Sequence, residues 1–163
     1  MSDILALIDK LKQRLITVLT KKNITVSTAE SCTGGLLSAL ITQVSGASEI
    51  FEETIVTYSN EAKMRELGVK KETLDRYGAV SHNTAYEMCA GICKHTGSDI
   101  GIGITGIAGP TGGTEDKPVG TVFIGICVRG EISVMEMHFD GNRDKVREST
   151  CFTAMDAVLK ILQ

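Results

Sequence analysis

Apolar positions recur along this chain in two rhythms, one of about 3.6 residues and one of two. Ile4, Leu5, Ile8, Leu11, Leu15 and Leu19 fall on one face of the longer period and predict an amphipathic opening helix. Ile24-Thr-Val-Ser-Thr28 then reads as a strand, and Leu36, Leu37, Leu40, Ile41 and Val44 as one face of a second helix. Glu53 to Tyr58 predicts another strand, centred on Ile55 and Val56. Asn60 is placed as the cap of a short helix through Leu67, and Lys70 to Tyr77 as a further one. A longer helix is predicted from Asn83 to about His95, with Ser81 or His82 at its entrance. Asp99 to Thr105 is a third strand in which Gly alternates with Ile, leaving little side chain on one face, as expected where another backbone or a ligand comes close. Thr121 to Arg129 and Ile132 to Phe139 are strands joined so tightly at Arg129-Gly130-Glu131 that they must form an antiparallel hairpin. The last helix, about Arg143 to Leu162, gathers Val146, Phe152, Met155, Val158, Leu159 and Leu162 on one side. Five strands with interspersed helices predict an α/β class protein, a three-layer α/β/α sandwich around a mixed, about five-stranded sheet.

Composition narrows the function classes. The 163 residues suit a single domain, 1–163, and the 42% hydrophobic and 23% charged content is that of an ordinary globular protein. A net charge of −3 gives no electrostatic case for binding nucleic acid or an anionic membrane, so an anionic ligand must be held by a local site. The opening Met-Ser-Asp, with Lys10, Lys12 and Arg14 in the helical pattern, lacks a secretory layout, and no apolar run reaches about eighteen residues. A cytoplasmic location is expected. The five cysteines, Cys32, Cys89, Cys93, Cys127 and Cys151, read as thiols of a reducing compartment, and no second pair accompanies Cys89 and Cys93 to make a zinc site. No metal is expected, and the sequence leaves the oligomeric state open, a homo-oligomer included.

Two segments carry candidate chemistry. Thr28-Ala-Glu-Ser-Cys-Thr-Gly-Gly35 puts Ser31 and Thr33 where a strand hands over to a helix, a place where free N–H groups and the helix dipole favour negative charge. A Ser or Thr there is either a helix cap or a chemical group. Cys32 is a weaker nucleophile candidate, since no base stands near it in sequence. The second segment, Gly101 to Gly120, spends about a dozen residues on Gly, Pro and Thr and contains both prolines of the chain, which suggests a shaped functional loop. Neither segment has P-loop or dinucleotide-fold spacing, so nothing points to ATP or bound NAD.

Five motifs in order, Thr28 to Gly35, Ser45-Gly-Ala-Ser-Glu-Ile-Phe51, Val56-Thr-Tyr-Ser-Asn-Glu-Ala-Lys63, Gly78-Ala-Val-Ser-His82 and Thr105-Gly-Ile-Ala-Gly-Pro-Thr-Gly-Gly113 through Lys117-Pro-Val-Gly-Thr121, resemble the CinA C-terminal domain family. Its active members are nicotinamide mononucleotide deamidases, also called PncC. The resemblance covers nearly the whole chain and implies the same three-layer architecture. It also implies a Ser/Lys-type amidohydrolase of pyridine nucleotide recycling, with a small-molecule nucleotide as partner and no cofactor. The longer members carry an additional N-terminal, molybdopterin-binding-like domain that is not expected in these 163 residues. Two alternatives stand beside this: an amidase for another phosphorylated small molecule, and a catalytically silent nucleotide-binding or interaction module.

Amide hydrolysis needs a nucleophile, a base, oxyanion donors and a proton for the departing nitrogen. Ser31 suits the nucleophile, with backbone N–H groups of Thr33, Gly34 and Gly35 as donors or as a phosphate cradle. The resemblance raises Ser31, Tyr58 and Lys63 together as the catalytic set; a partly desolvated Lys63 would lose its proton near neutral pH, whereas its plain reading is a solvated helix residue. Tyr58 is a stacking or proton-donating group, or simply rim. Ser48 is the competing nucleophile or a helix-opening cap. Glu30 orients Lys63 or meets the pyridinium charge, or it complements a helix dipole. Thr105 and the Gly106, Gly109, Gly112 and Gly113 backbone are expected to line the pocket. Arg143 is a phosphate fork, or a helix residue paired with Asp140 or Asp144. His82, His95 and His138 belong to no motif that forces catalysis, with His82 next in line as base.

Overall fold

The computed structural model describes residues 3–163. Its elements are α1 (Asp3–Lys22), β1 (Val26–Glu30), α2 (Leu36–Thr42), a 3-10 turn (Ala47–Glu49), β2 (Phe51–Val56), α3 (Asn60–Leu67), α4 (Lys71–Tyr77), α5 (His82–Thr96), β3 (Ile100–Gly106), β4 (Thr121–Val128), β5 (Glu131–His138) and α6 (Arg143–Ile161). The five strands form one sheet in the order β2-β1-β3-β4-β5. β2, β1 and β3 run parallel, whereas β4 and β5 are antiparallel to their neighbours, so the sheet is mixed. The β4–β5 connection is the two residues Arg129 and Gly130, both at positive φ, and Val128 pairs with Glu131 across it. That backbone twist suits a two-residue hairpin.

Helices cover both faces. On one side α1, α2 and α6 bury Leu15, Leu19, Leu37, Ile41, Met155 and Val158 against Val26, Ile102, Ile104 and Ile124. On the other side α5 lies directly on the middle of the sheet, flanked by α3 and α4. The Gly/Ile alternation of β3 is what lets it approach. A Cβ on Gly103 would stand 2.6 Å from the Cys89 amide nitrogen, and one on Gly125 2.5 Å from the Ala85 carbonyl oxygen. The bare face meets a helix backbone, not a ligand.

Several boundaries differ from expectation, each at a polar residue near the end of an element. β1 and β2 each lie two residues from the predicted runs, because the buried Glu30 continues its strand and Thr57 and Tyr58 leave theirs. Ser59, not Asn60, caps α3 by accepting from the Ala62 amide, whereas Ser81 caps α5 as expected, accepting from the Thr84 amide. Among the described residues no helix is long and apolar enough to cross a membrane.

Candidate active site

The chain leaves β1 for a neighbour on one side and later enters β3 on the other, so the carboxyl ends of β1 and β3 form the switch point at which open α/β sheets bind ligands. Ser31 follows β1, Thr57 and Tyr58 follow β2, and Thr105 and Gly106 end β3. Three separate sequence motifs thus meet at one edge.

Ser31 is held by its own backbone. Its amide donates to the Ile104 carbonyl at 3.0 Å, and its carbonyl accepts from the Gly34 amide at 2.9 Å, closing a turn. α2 begins only at Leu36, after Gly35 at φ 93°, and no side chain of the turn caps it. The capping reading of Ser31 and Thr33 therefore gives way. The carboxylate of Glu30 does that work, accepting from the amides of Gly35 at 3.0 Å, Leu37 at 3.1 Å and Ser38 at 2.9 Å. Glu30 is fully buried, so its role as a substrate contact is corrected to an internal one. The Gly35 amide is spent in the same way, and the Gly34 amide closes the turn. Among the described residues the Cys32 and Thr33 amides donate to no protein acceptor, which leaves them as the donors available beside Ser31.

Lys63 contradicts the solvated reading of a helix lysine. It projects inward from α3, is 2% exposed, and places its Nζ 3.1 Å from Ser31 Oγ and 2.8 Å from the Thr57 carbonyl oxygen. Among the described residues no carboxylate pairs with it. Burial pushes its pKa below the ordinary 10.5, opposed only by the neighbouring Cys32. An amine of lowered pKa in contact with a serine hydroxyl has the arrangement that a general base beside a nucleophile requires. Cys32, in contrast, is pushed up by burial from 9.0 to about 11 and stays a thiol.

The rim is closed by one guanidinium. Arg143, on the first turn of α6, donates to the Tyr58 hydroxyl and to the Gly109 carbonyl, each at 2.8 Å, joining three of the predicted segments. Both acceptors are neutral, and among the described residues no carboxylate lies within ion-pair distance of Arg143, so the expected partners Asp140 and Asp144 do not hold it. Tyr58 is 63% exposed. Thr105 turns its hydroxyl to the Ala79 carbonyl at 2.7 Å, which fixes the entry to α5 rather than opening toward the site. Gly106 and Gly109 are tight against Val122 and Val119, and Gly112 and Gly113 lie exposed farther along the loop.

Other candidates stand elsewhere. Ser48 is exposed in the 3-10 turn before β2 and lines a cavity of about 420 Å³ with Thr42, Val44 and Phe51. Val26 pairs with Phe51 at that end of the strands, and Glu30 with Val56 at the other. Five strand residues, about 16 Å, therefore separate Ser48 from Ser31. His95 and His138 are exposed and pair with Glu53 and Glu136. His82 is exposed and makes no hydrogen bond to the Ser31–Lys63 pair among the described residues.

Two site residues escaped the sequence reading. Thr57 orients Lys63 through its backbone carbonyl, which no side-chain motif can announce. Arg147 donates to the Thr33 carbonyl at 2.7 Å and so holds the Ser31 turn from α6. Its signal was present: it stands four residues after Arg143, on the same helix face. Among the described residues the buried hydroxyls of Thr33 and Thr57 have no hydrogen-bond partner.

Comparison with known proteins agrees with this architecture. A family model described as the CinA C-terminal domain matches residues 8–162. A CinA-like protein of Kosmotoga olearia is 51% identical over 154 residues, covering 94% of this chain and 37% of that protein. The chain spans just over a third of the length of the curated relatives it matches. Among solved structures, the competence/damage inducible protein CihA from Agrobacterium tumefaciens superposes with a TM-score of 0.93 at 40% identity, covering 96% of both chains. A competence or damage-inducible protein from Enterobacter asburiae gives 0.93 at 38% identity, covering 96% of this chain and 98% of that one. With the same fold and the motifs converging at one edge of its sheet, this chain belongs to the CinA C-terminal domain family.

Proposed function

We propose that this site hydrolyses the carboxamide of nicotinamide mononucleotide to nicotinic acid mononucleotide and ammonia, using Ser31 and Lys63 and no metal or organic cofactor. The observation that carries the reading is the buried Lys63 Nζ at 3.1 Å from Ser31 Oγ, without a carboxylate to keep it charged. The neutral amine accepts the Ser31 hydroxyl proton while the Thr57 carbonyl takes one of its N–H groups and aims the lone pair. Ser31 Oγ attacks the amide carbon, and the Cys32 and Thr33 amides are the donors nearest the oxyanion that forms. The C–N bond breaks as Lys63 returns its proton to the leaving nitrogen, releasing ammonia and an ester on Ser31. Water, deprotonated by Lys63, cleaves that ester and restores the serine.

The Arg143 guanidinium supports an anionic substrate. It faces only neutral acceptors, so a phosphate can replace or join them in a bidentate contact. Binding energy from a phosphate remote from the reacting amide helps position it. Ammonia release from nicotinamide mononucleotide and from free nicotinamide, each after chelator treatment, tests the reading. The nucleotide is expected to react at a kcat/KM more than about a hundredfold higher. Equal values would refute the anion contact, and activity that vanished with chelator and returned with one divalent metal would refute the cofactor-free mechanism.

A further inference from the structure

The carboxylate of Glu30 is saturated in an unusual place. Oε2 accepts from the Gly35 and Leu37 amides and Oε1 from the Ser38 amide; the Thr28 hydroxyl, which donates to Thr54 Oγ1 at 2.7 Å, lies 3.3 Å from Oε1. Three backbone amides hold its two oxygens and the side chain is fully buried, so neither oxygen is open to a ligand. The same residue reaches the other half of the site through its main chain. Its carbonyl accepts from the Thr57 amide at 2.9 Å, and the Thr57 carbonyl accepts from Lys63. One residue is therefore bonded to the far end of the Ser31 turn and to the group that aims Lys63.

From this double attachment we infer that Glu30 is the positioning residue of the nucleophile: it sets the geometry between Ser31 Oγ and Lys63 Nζ without touching the reacting atoms. The turn from Ser31 to Gly34 is suspended between the Glu30 backbone and the α2 amides clasped by the Glu30 side chain. Loosening the clasp frees the turn and with it the direction of the hydroxyl. The inference rests on Ser31 being the nucleophile, not on the identity of the amide.

Glu30→Gln keeps the shape but presents an amide NH2 where the carboxylate presents an oxygen, so at least one of the three clasped amides loses its acceptor. Glu30→Asp keeps the charge on a shorter stem. Each full-length variant is treated with a fluorophosphonate probe below its melting transition. The rate of Ser31 modification is read by peptide mass spectrometry, beside kcat and KM for nicotinamide mononucleotide. Labelling rate and kcat are expected to fall together by about tenfold or more, with KM within about threefold. Thr28→Val, which spares the three amides, is expected to stay within about twofold of wild type. Folded Glu30 variants that label and turn over as fast as wild type would overturn the inference. Should both variants lose the fold, Ser38→Pro removes one clasped N–H within the first turn of α2, where no backbone hydrogen bond of the helix is lost, and an unchanged labelling rate there is equally fatal. Wild type that labels at Ser31 in a Glu30-dependent way but releases no ammonia from the nucleotide refutes the proposed substrate and leaves the positioning role standing. Turnover of the nucleotide that is indifferent to Glu30 does the reverse, and a wild-type Ser31 that the probe does not modify overturns the inference itself.

Discussion

The two ends of the parallel strands each present a serine in a glycine-bearing turn, and only one of these serines contacts a buried amine. At the amino end, Ser48 is exposed in the 3-10 turn and makes no side-chain hydrogen bond among the described residues. At the carboxyl end, Ser31 is buried beside a buried amine, in a turn tied down by Ile104, Glu30 and Arg147. The local sequences do not separate the two. What separates them is tertiary: the carboxyl end is where β1, β2 and β3 converge and where α3 can deliver a lysine from 32 residues away.

The sharpest test of that contrast is substitution at both ends. Ser31→Ala is expected to lower ammonia release from nicotinamide mononucleotide by about a thousandfold or more with little change in Tm, whereas Ser48→Ala stays within about twofold. Steady-state kinetics beside thermal melts decide it, and the opposite pattern would move the nucleophile to Ser48. Next in size is Lys63. Lys63→Arg keeps charge but cannot give up its proton, so it is expected to be nearly as inactive as Lys63→Ala. The kcat/KM of wild type should rise with pH through one ionisation below 10.5 that both variants lack. Stability follows the same sign. A lysine whose folded pKa is depressed binds fewer protons folded than unfolded, so wild type gains stability as pH rises from the folded value toward 10.5, and Lys63→Met abolishes that slope in denaturant titrations.

At the rim the effects are smaller and fall on binding. Arg143→Ala is expected to raise KM for the nucleotide by about ten- to a hundredfold with a lesser change in kcat, and Tyr58→Phe by only a few-fold, since the tyrosine hydroxyl merely accepts from Arg143. Free nicotinamide should not feel the arginine substitution. Smallest is Cys32→Ala, expected to retain near-normal turnover and to cost about 1 kcal/mol of stability in denaturant melts. The thiol, pushed up to about 11 by burial, should resist iodoacetamide at neutral pH in folded protein.

Much of the fold was legible because it rests on periodicity: the amphipathic α1, the Leu36–Ile41 face of α2 and the β4–β5 hairpin need only local pattern. The Gly/Ile alternation of β3 correctly announced a close approach, yet nothing local could say that the visitor is α5. The residues least legible were those whose state is decided by a partner far along the chain. Glu30 had two readings, a group of the site and an acid complementing a helix start, and the second holds: its carboxylate is spent on amides at the start of α2. Lys63 is a lysine on a helix, which on frequency alone predicts exposure; only the motif order pointed inward. Thr57 acts through a carbonyl that every residue possesses.

The glycine-paved contact between the sheet and α5 also bears on how this protein can vary. At Gly103 or Gly125 the smallest chemical change available, one methyl group, must displace helix backbone rather than a side-chain tip, so gradual adjustment of this layer by single steps is blocked. In a saturation mutagenesis screen scored for cellular abundance, those two glycines would rank among the intolerant positions, although neither supplies a group to the Ser31–Lys63 pair. A map of tolerated substitutions would thus trace two superimposed patterns, one for chemistry at the carboxyl edge and one for the seating of a single helix.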